Sequence, residues 1–211
     1  MTDVPQIHTT GEIIASNVRY EDFLNDFEGM RVEWVNGTVI LMPGIDERHD
    51  GLTRFVDNLF QAYLEVTGGG RVLQDPMLMH FLTYSRAPDI QVLLPESLHK
   101  LQPKEVLGVA DLVVEIVSQG SQRIDRVEKY DEYERGGVRE YWIIDPIYAE
   151  ALFFQRGEDN FFERIAPDEN GIYHSKVLSK LRLPVSLLWQ DPLPTMREII
   201  ALVDDMVRTQ P

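Results

Sequence analysis

One acidic residue, Glu115, interrupts the apolar run Leu112-Val113-Val114-Glu115-Ile116-Val117, and that interruption constrains the fold more than any other feature of the chain. The run predicts a strand over Asp111–Val117. A lone carboxylate buried in such a strand costs several kcal/mol unless its charge is paired or bound to a metal. Glu115 therefore needs a partner. A cation across the strand, such as Arg139, is the plainest choice; a metal shared with a second carboxylate is the other.

Asp89 supplies a second carboxylate. It opens the apolar strand Asp89–Leu94 directly after Ala87-Pro88, where its simplest role is to bond a backbone amide. If the two strands are neighbours, carboxylates about 4 Å apart repel by roughly 4 kcal/mol at a surface-like dielectric. A hard divalent cation relieves that repulsion, and magnesium (or manganese) suits an oxygen-only pair of ligands at Asp89 and Glu115. Lys129 lies in the helix after Glu115. Taken alone it is a solvated helix residue with Asp125 four positions back as a partner; beside two carboxylates it becomes a compact charge able to act on a phosphoryl centre. Asp89, Glu115 and Lys129 thus make a complete set for metal-assisted phosphodiester hydrolysis.

The rest of the chain frames these residues. Tyr20–Asp26 predicts a short helix, and Arg31–Asn36 and Thr38–Met42 predict a hairpin turning at Asn36-Gly37. Apolar residues at Leu52, Phe55, Leu59, Tyr63 and Val66 predict a long helix from Asp46 to about Thr67, stopped by Gly68-Gly69-Gly70. Strands are expected at Arg71–Gln74, Met77–Leu82, Asp89–Leu94 and Asp111–Val117, with a short helix near Glu96–Leu101. A helix follows from Ile124 to about Arg135, then a strand over Arg139–Ile144. Beyond Pro146, Glu150–Gln155, Asn160–Ile165 and Gly171–Leu178 predict a meander, and Thr195–Arg208 a last helix.

The chain has no cysteine, which excludes disulfides, thiolate zinc sites and cysteine nucleophiles. His8, His49, His80, His99 and His174 show no zinc-ligand spacing, and the glycine triplet follows a helix, unlike a phosphate-binding loop. A length of 211 residues suits a single domain. No leader-like start or long apolar stretch is present, so a cytoplasmic protein without a membrane partner is expected. A net charge of −15 predicts weak intrinsic affinity for nucleic acid, since lysine and arginine supply most nonspecific binding.

The pieces YEDFL, RVEWVNGTVILMPG, ERHDGLTRFVDNLF, APDIQVLLPE, ADLVVEIVS and DRVEKYDEYERGGVREYWIIDP, spanning roughly Tyr20 to Phe154, resemble the PD-(D/E)XK restriction-endonuclease-like superfamily and, within it, the Uma-two family of restriction endonucleases. The resemblance implies an α/β fold. Its restriction-endonuclease-like core of helix, three strands, helix and strand (about 20–154) would carry an N-terminal hairpin, with a C-terminal strand meander and helix completing a single domain over 1–211. It also implies a metal-binding Asp89 and Glu115, and a lysine moved from the position of Val117 into the next helix, at Lys129. Family members usually carry Ser-Pro-Ser after the glutamate strand, where this chain has Ser118-Gln119-Gly120-Ser121.

The similarity adds supporting candidates. Glu33 matches the family's hairpin glutamate, with an outward strand position as its plain alternative. His49 matches the family's histidine, against a helix-surface residue, and Asp125 could orient Lys129. Tyr130, Tyr133, Tyr141 and Trp142 offer stacking surfaces for bases, but their spacing favours packing. Two functions follow: a Mg-dependent endonuclease acting on nucleic acid, DNA in the first instance, as a homodimer; or an inactive nuclease-fold dimer that binds without cutting.

Overall fold

The computed structural model describes residues 11–118 and 124–208 of the chain. In order, the elements are β1 (Glu12–Ala15), α1 (Tyr20–Asp26), β2 (Val32–Val35), β3 (Thr38–Leu41), α2 (Glu47–Thr67), β4 (Arg71–Gln74), β5 (Leu78–Phe81), β6 (Tyr84–Arg86), β7 (Ile90–Leu93), β8 (Glu105–Leu107) and β9 (Leu112–Ile116). They continue with α3 (Lys129–Gly136), β10 (Glu140–Asp145), β11 (Glu150–Arg156), β12 (Phe162–Arg164), β13 (Ile172–His174), β14 (Arg182–Pro184) and α4 (Met196–Arg208). No helix among the described residues is long and apolar enough to cross a membrane.

The fold is mixed α/β. One six-stranded sheet runs β1-β3-β2-β6-β5-β8, a second runs β12-β11-β10-β9-β7-β4, and β13 pairs with β14 by themselves. The hairpin turn sits where the sequence put it, and the long helix begins one residue after its expected start. Asn36 and Gly37 both have positive φ (+49° and +83°), the combination that lets a two-residue turn follow the strand twist. Asp46 caps α2, its carboxylate accepting from the His49 amide at 2.8 Å.

The second sheet is buried on both faces, which explains its continuous apolar strands. Along β7, β9 and β10 one set of side chains (Ile90, Val92, Leu112, Val114, Ile116, Trp142, Ile144) packs with α2 and the C-terminal segments. The alternating set (Leu93, Val113, Val117, Tyr141, Ile143) packs with Tyr133 of α3 and residues of the first sheet. Asp89 and Glu115 belong to this second face, because strand side chains alternate. Tyr133, Tyr141 and Trp142 are fully buried in these clusters, as packing rather than stacking surfaces.

Several details differ from the sequence reading. The Met77–Leu82 strand, β5, joins the first sheet, where it pairs in parallel with the three-residue β8. The helix after Glu115 begins with a π-helical turn at Ile124–Glu128 before α3. The expected meander stops after β11 and β12, since β13 turns to pair with β14. Short edge strands such as β1 and β14 were missed because three or four residues carry too little periodicity. The Gln119-Gly120-Ser121 stretch lies outside the described residues.

The C-terminal segment is fastened to the second sheet through Glu140 at the start of β10. This fully buried carboxylate accepts from Trp142 Nε1 (2.7 Å), Tyr173 OH (2.9 Å), Ser175 Oγ (3.0 Å) and the amides of Lys176 and Val177 (both 2.8 Å). Replacing it by alanine leaves these buried donors unsatisfied and should cost at least about 3 kcal/mol. Urea unfolding measures the loss, and limited proteolysis should show cuts between β12 and β14 in the Glu140→Ala protein. A loss below about 1 kcal/mol would mean that the carboxylate is not the anchor.

Candidate active site

The antiparallel register of β7 and β9 pairs Ile90 with Val114, so Asp89, one residue earlier, stands opposite Glu115. Asp89 Oδ2 accepts the Ile116 amide at 2.7 Å, which ties the aspartate to the strand that carries Glu115. The backbone-bonding role expected of Asp89 is therefore present. Its other oxygen, Oδ1, lies 3.2 Å from His49 Nε2. His49 reaches it from the first turn of α2 and is buried, not a helix-surface residue. Burial opposes charge on the imidazole, but the Asp89 carboxylate outweighs it and holds the His49 pKa above the usual value.

Glu115 is engaged through both oxygens. Oε1 accepts the Tyr133 hydroxyl at 2.6 Å, and Oε2 lies 2.8 Å from Lys129 Nζ. Arg139, the cross-strand partner considered above, bonds Asp111 at 3.1 Å instead, because it precedes Glu140, which pairs with Leu112 at the end of the ladder away from Glu115. Lys129 is the first residue of α3 and is buried rather than solvated; its ammonium also lies 3.6 Å from Glu33 and 3.6 Å from Asp125. Burial works against that charge, yet Glu115, Glu33 and Asp125 together raise the pKa above that of a free lysine.

Glu33 points inward from β2 and is held by Arg86, which is in turn held by Glu132; the sequence reading singled out neither. Arg86 donates from Nη1 to Glu33 at 2.7 Å, and grips Glu132 with Nε and Nη2 at 2.7 and 2.6 Å. The signals for these were weak but present: Arg86 sits three residues before Asp89, and Glu132 three after Lys129 on the same helix face. Burial pushes the Glu33 carboxyl up, while Lys129 and Arg86 more than offset it, so its pKa is lowered.

Among the described residues, five buried carboxylates (Glu33, Asp89, Glu115, Asp125, Glu132) thus surround two buried permanent cations, Arg86 and Lys129. The imbalance falls on Glu115, whose pKa is raised well above normal, first by burial and then by Asp89, Asp125 and Glu33, against the pull of Lys129. Above the pair opens a narrow cleft of about 40 Å³ lined by Asp89, Glu115, Lys129, His49 and Glu33 with Asp125, Arg86 and Arg31. All six residues singled out from the sequence meet here.

A family model described as "Putative restriction endonuclease", Uma2, matches residues 18–186. The chain belongs to the Uma2 family. Among solved structures, the Uma2 chain is similar in fold to a protein from Anabaena variabilis described as "a putative nuclease belonging to DUF820". The two share 15% sequence identity and a TM-score of 0.59, over 82% of this chain and 90% of that one. At that identity the likeness is one of fold. No curated protein matches the Uma2 chain.

Breaking one buried ion pair in this Uma2 site should be costly. Arg86→Met leaves Glu33 and Glu132 buried without their cation, and is expected to lower stability by about 3–5 kcal/mol. The double change Arg86→Met with Glu132→Met should recover part of the loss, since Glu33 keeps the Ala87 amide and Lys129. Denaturant unfolding of the cycle tests this, and a single-variant loss under about 1 kcal/mol would contradict it.

Proposed function

We propose that the chain is a divalent-cation-dependent phosphodiesterase, an endonuclease acting on DNA, with Asp89 and Glu115 as metal ligands and Lys129 as the catalytic cation. The observation that carries this is the opposition of Asp89 and Glu115 at one end of neighbouring strands, in a cleft where, among the described residues, buried acids outnumber permanent cations. The family description and the nuclease-like fold point the same way. Among the described residues no three acidic or histidine side chains form a ready-made metal cluster. Two carboxylates nevertheless fit magnesium or manganese, because magnesium is commonly held by one or two carboxylates while water and substrate oxygens complete its sphere.

When bound, such a cation supplies an activated water and offsets charge on the phosphoryl oxygens. The protein's own part is placement. His49 and the Ile116 amide fix the two oxygens of Asp89, and Tyr133 fixes Glu115. Lys129 carries a permanent charge at the cleft floor, where negative charge develops as the water oxygen bonds to phosphorus and the bridging oxygen departs with the electron pair. Glu33 and Asp125 flank its ammonium and restrict it. A homodimer would bring two such sites to the two strands of a duplex.

A second reading has an observation of its own. Lys129 already satisfies Glu115 at 2.8 Å, so the network can stand as a closed set of ion pairs in a dimeric binding module that does not cut. Metal titration and a plasmid-nicking assay separate the two. The active-site reading expects Glu115→Gln to abolish Mg²⁺ binding and cleavage with the fold intact. Lys129→Ala should bind Mg²⁺ nearly as before but cleave at least about a hundredfold more slowly, the scale for losing one charge-stabilising group. A wild-type chain that binds no Mg²⁺ or Mn²⁺ would favour the closed network.

A further inference from the structure

The cleft raises an electrostatic difficulty for its own substrate. A phosphodiester is an anion, the chain carries a net charge of −15, and the floor of the cleft is crowded with carboxylates. Of the three described arginine and lysine residues that line it, Arg86 and Lys129 are sealed below the surface, with side chains 3% and 4% exposed. Arg31 is the exception. Its side chain is 32% exposed and lines the same cleft.

Its backbone places it well. The Met42 amide bonds the Arg31 carbonyl at 2.9 Å, which carries the β2–β3 ladder one residue beyond Val32. Arg31 and Glu33 are therefore two positions apart on one extended segment and face the same side, toward the cleft. The guanidinium is braced from behind: Nε donates to Asp75 and Nη1 to the Pro43 carbonyl. Those bonds commit two of its five N–H groups, and Nη2 makes no hydrogen bond to another described residue. Its field also reaches His49, opposing the protonation that Asp89 favours.

We infer that Arg31 is a phosphate-binding residue at the mouth of the cleft, holding a backbone phosphate of the nucleic acid next to the one positioned over Asp89 and Glu115. This rests on the nuclease reading above and adds the group that admits the substrate. A planar fork with free donors matches phosphate oxygens. Bracing by Asp75 fixes the fork before the substrate arrives, which limits the entropy lost on binding. Arg31 contributes affinity common to all sequences, not base recognition, because phosphates carry no sequence information.

The test measures binding of a short fluorescein-labelled DNA duplex by anisotropy across a salt series, with Ca²⁺ in place of Mg²⁺ to slow cleavage. Removing one phosphate contact makes the slope of log K against log salt shallower by about 0.9. Arg31→Met should show that change with about tenfold weaker binding near 0.1 M salt, the scale of one charge-assisted contact, while calorimetric Mg²⁺ affinity without DNA stays unchanged. Arg31→Lys should keep the wild-type slope. Because Arg31→Met leaves Asp75 without its cation, Arg31→Met with Asp75→Asn provides a second, charge-balanced variant, which should show the same slope loss at wild-type thermal stability. If the wild type binds duplex and neither Met variant alters the slope, the Arg31 assignment is overturned and the nuclease reading stands. If the wild type binds no duplex at any salt, the nuclease reading falls and the inference falls with it.

Discussion

The structure around the cleft depends on one constraint: charge buried between two sheets has to be matched by charge of the opposite sign. Lys129 meets Glu115 at 2.8 Å and also borders Glu33 and Asp125, so a single ammonium links the helix α3, the strand β9 and the hairpin strand β2. Arg86 does the same between β2 and α3 through Glu33 and Glu132. Hydrophobic packing brings these elements together on both faces of the second sheet. It does not fix their relative positions to the fraction of an ångström that ion pairs demand. Buried ion pairs contribute little net stability in comparison with apolar packing, so their value here is placement of the cleft groups.

That constraint also accounts for what was legible in the sequence. Glu115 stood out because a carboxylate inside Leu112–Val117 has no cheap solution, and the register of β7 against β9 puts Asp89 opposite it. The Asn36-Gly37 turn was readable because it imposes a local geometry that few residues satisfy. Lys129 taken alone reads as a solvent-facing residue of a charged helix, and it stood out only beside the two carboxylates and through the family resemblance. Its burial follows from the π-helical turn at Ile124–Glu128 and the approach of β2, which are tertiary matters.

Other features had no local signal. Arg86 reads as one more polar residue between Ser85 and Ala87, and its role exists only once Glu33 and Glu132 arrive from elements 53 and 46 residues away. The assignment of β5 to the first sheet, and of β13 to a sheet with β14, likewise depends on pairing between short segments whose patterns fit either arrangement. Glu140 sat in a strand that looked ordinary, yet five donors from its own strand and the C-terminal segment converge on it. Buried polar hubs of this kind are decided by the whole fold.

The central claim is that Asp89 and Glu115 share one divalent cation. Anomalous diffraction from crystals soaked in Mn²⁺ tests it most directly, because the ion reports its own position. The account predicts a single strong peak in the cleft within metal–oxygen bonding distance, about 2.1–2.2 Å, of a carboxylate oxygen of each residue, with Lys129 displaced from Glu115 but not bonded to the ion. A well-diffracting soaked crystal with no peak between Asp89 and Glu115, and the Lys129–Glu115 pair still closed, would contradict it.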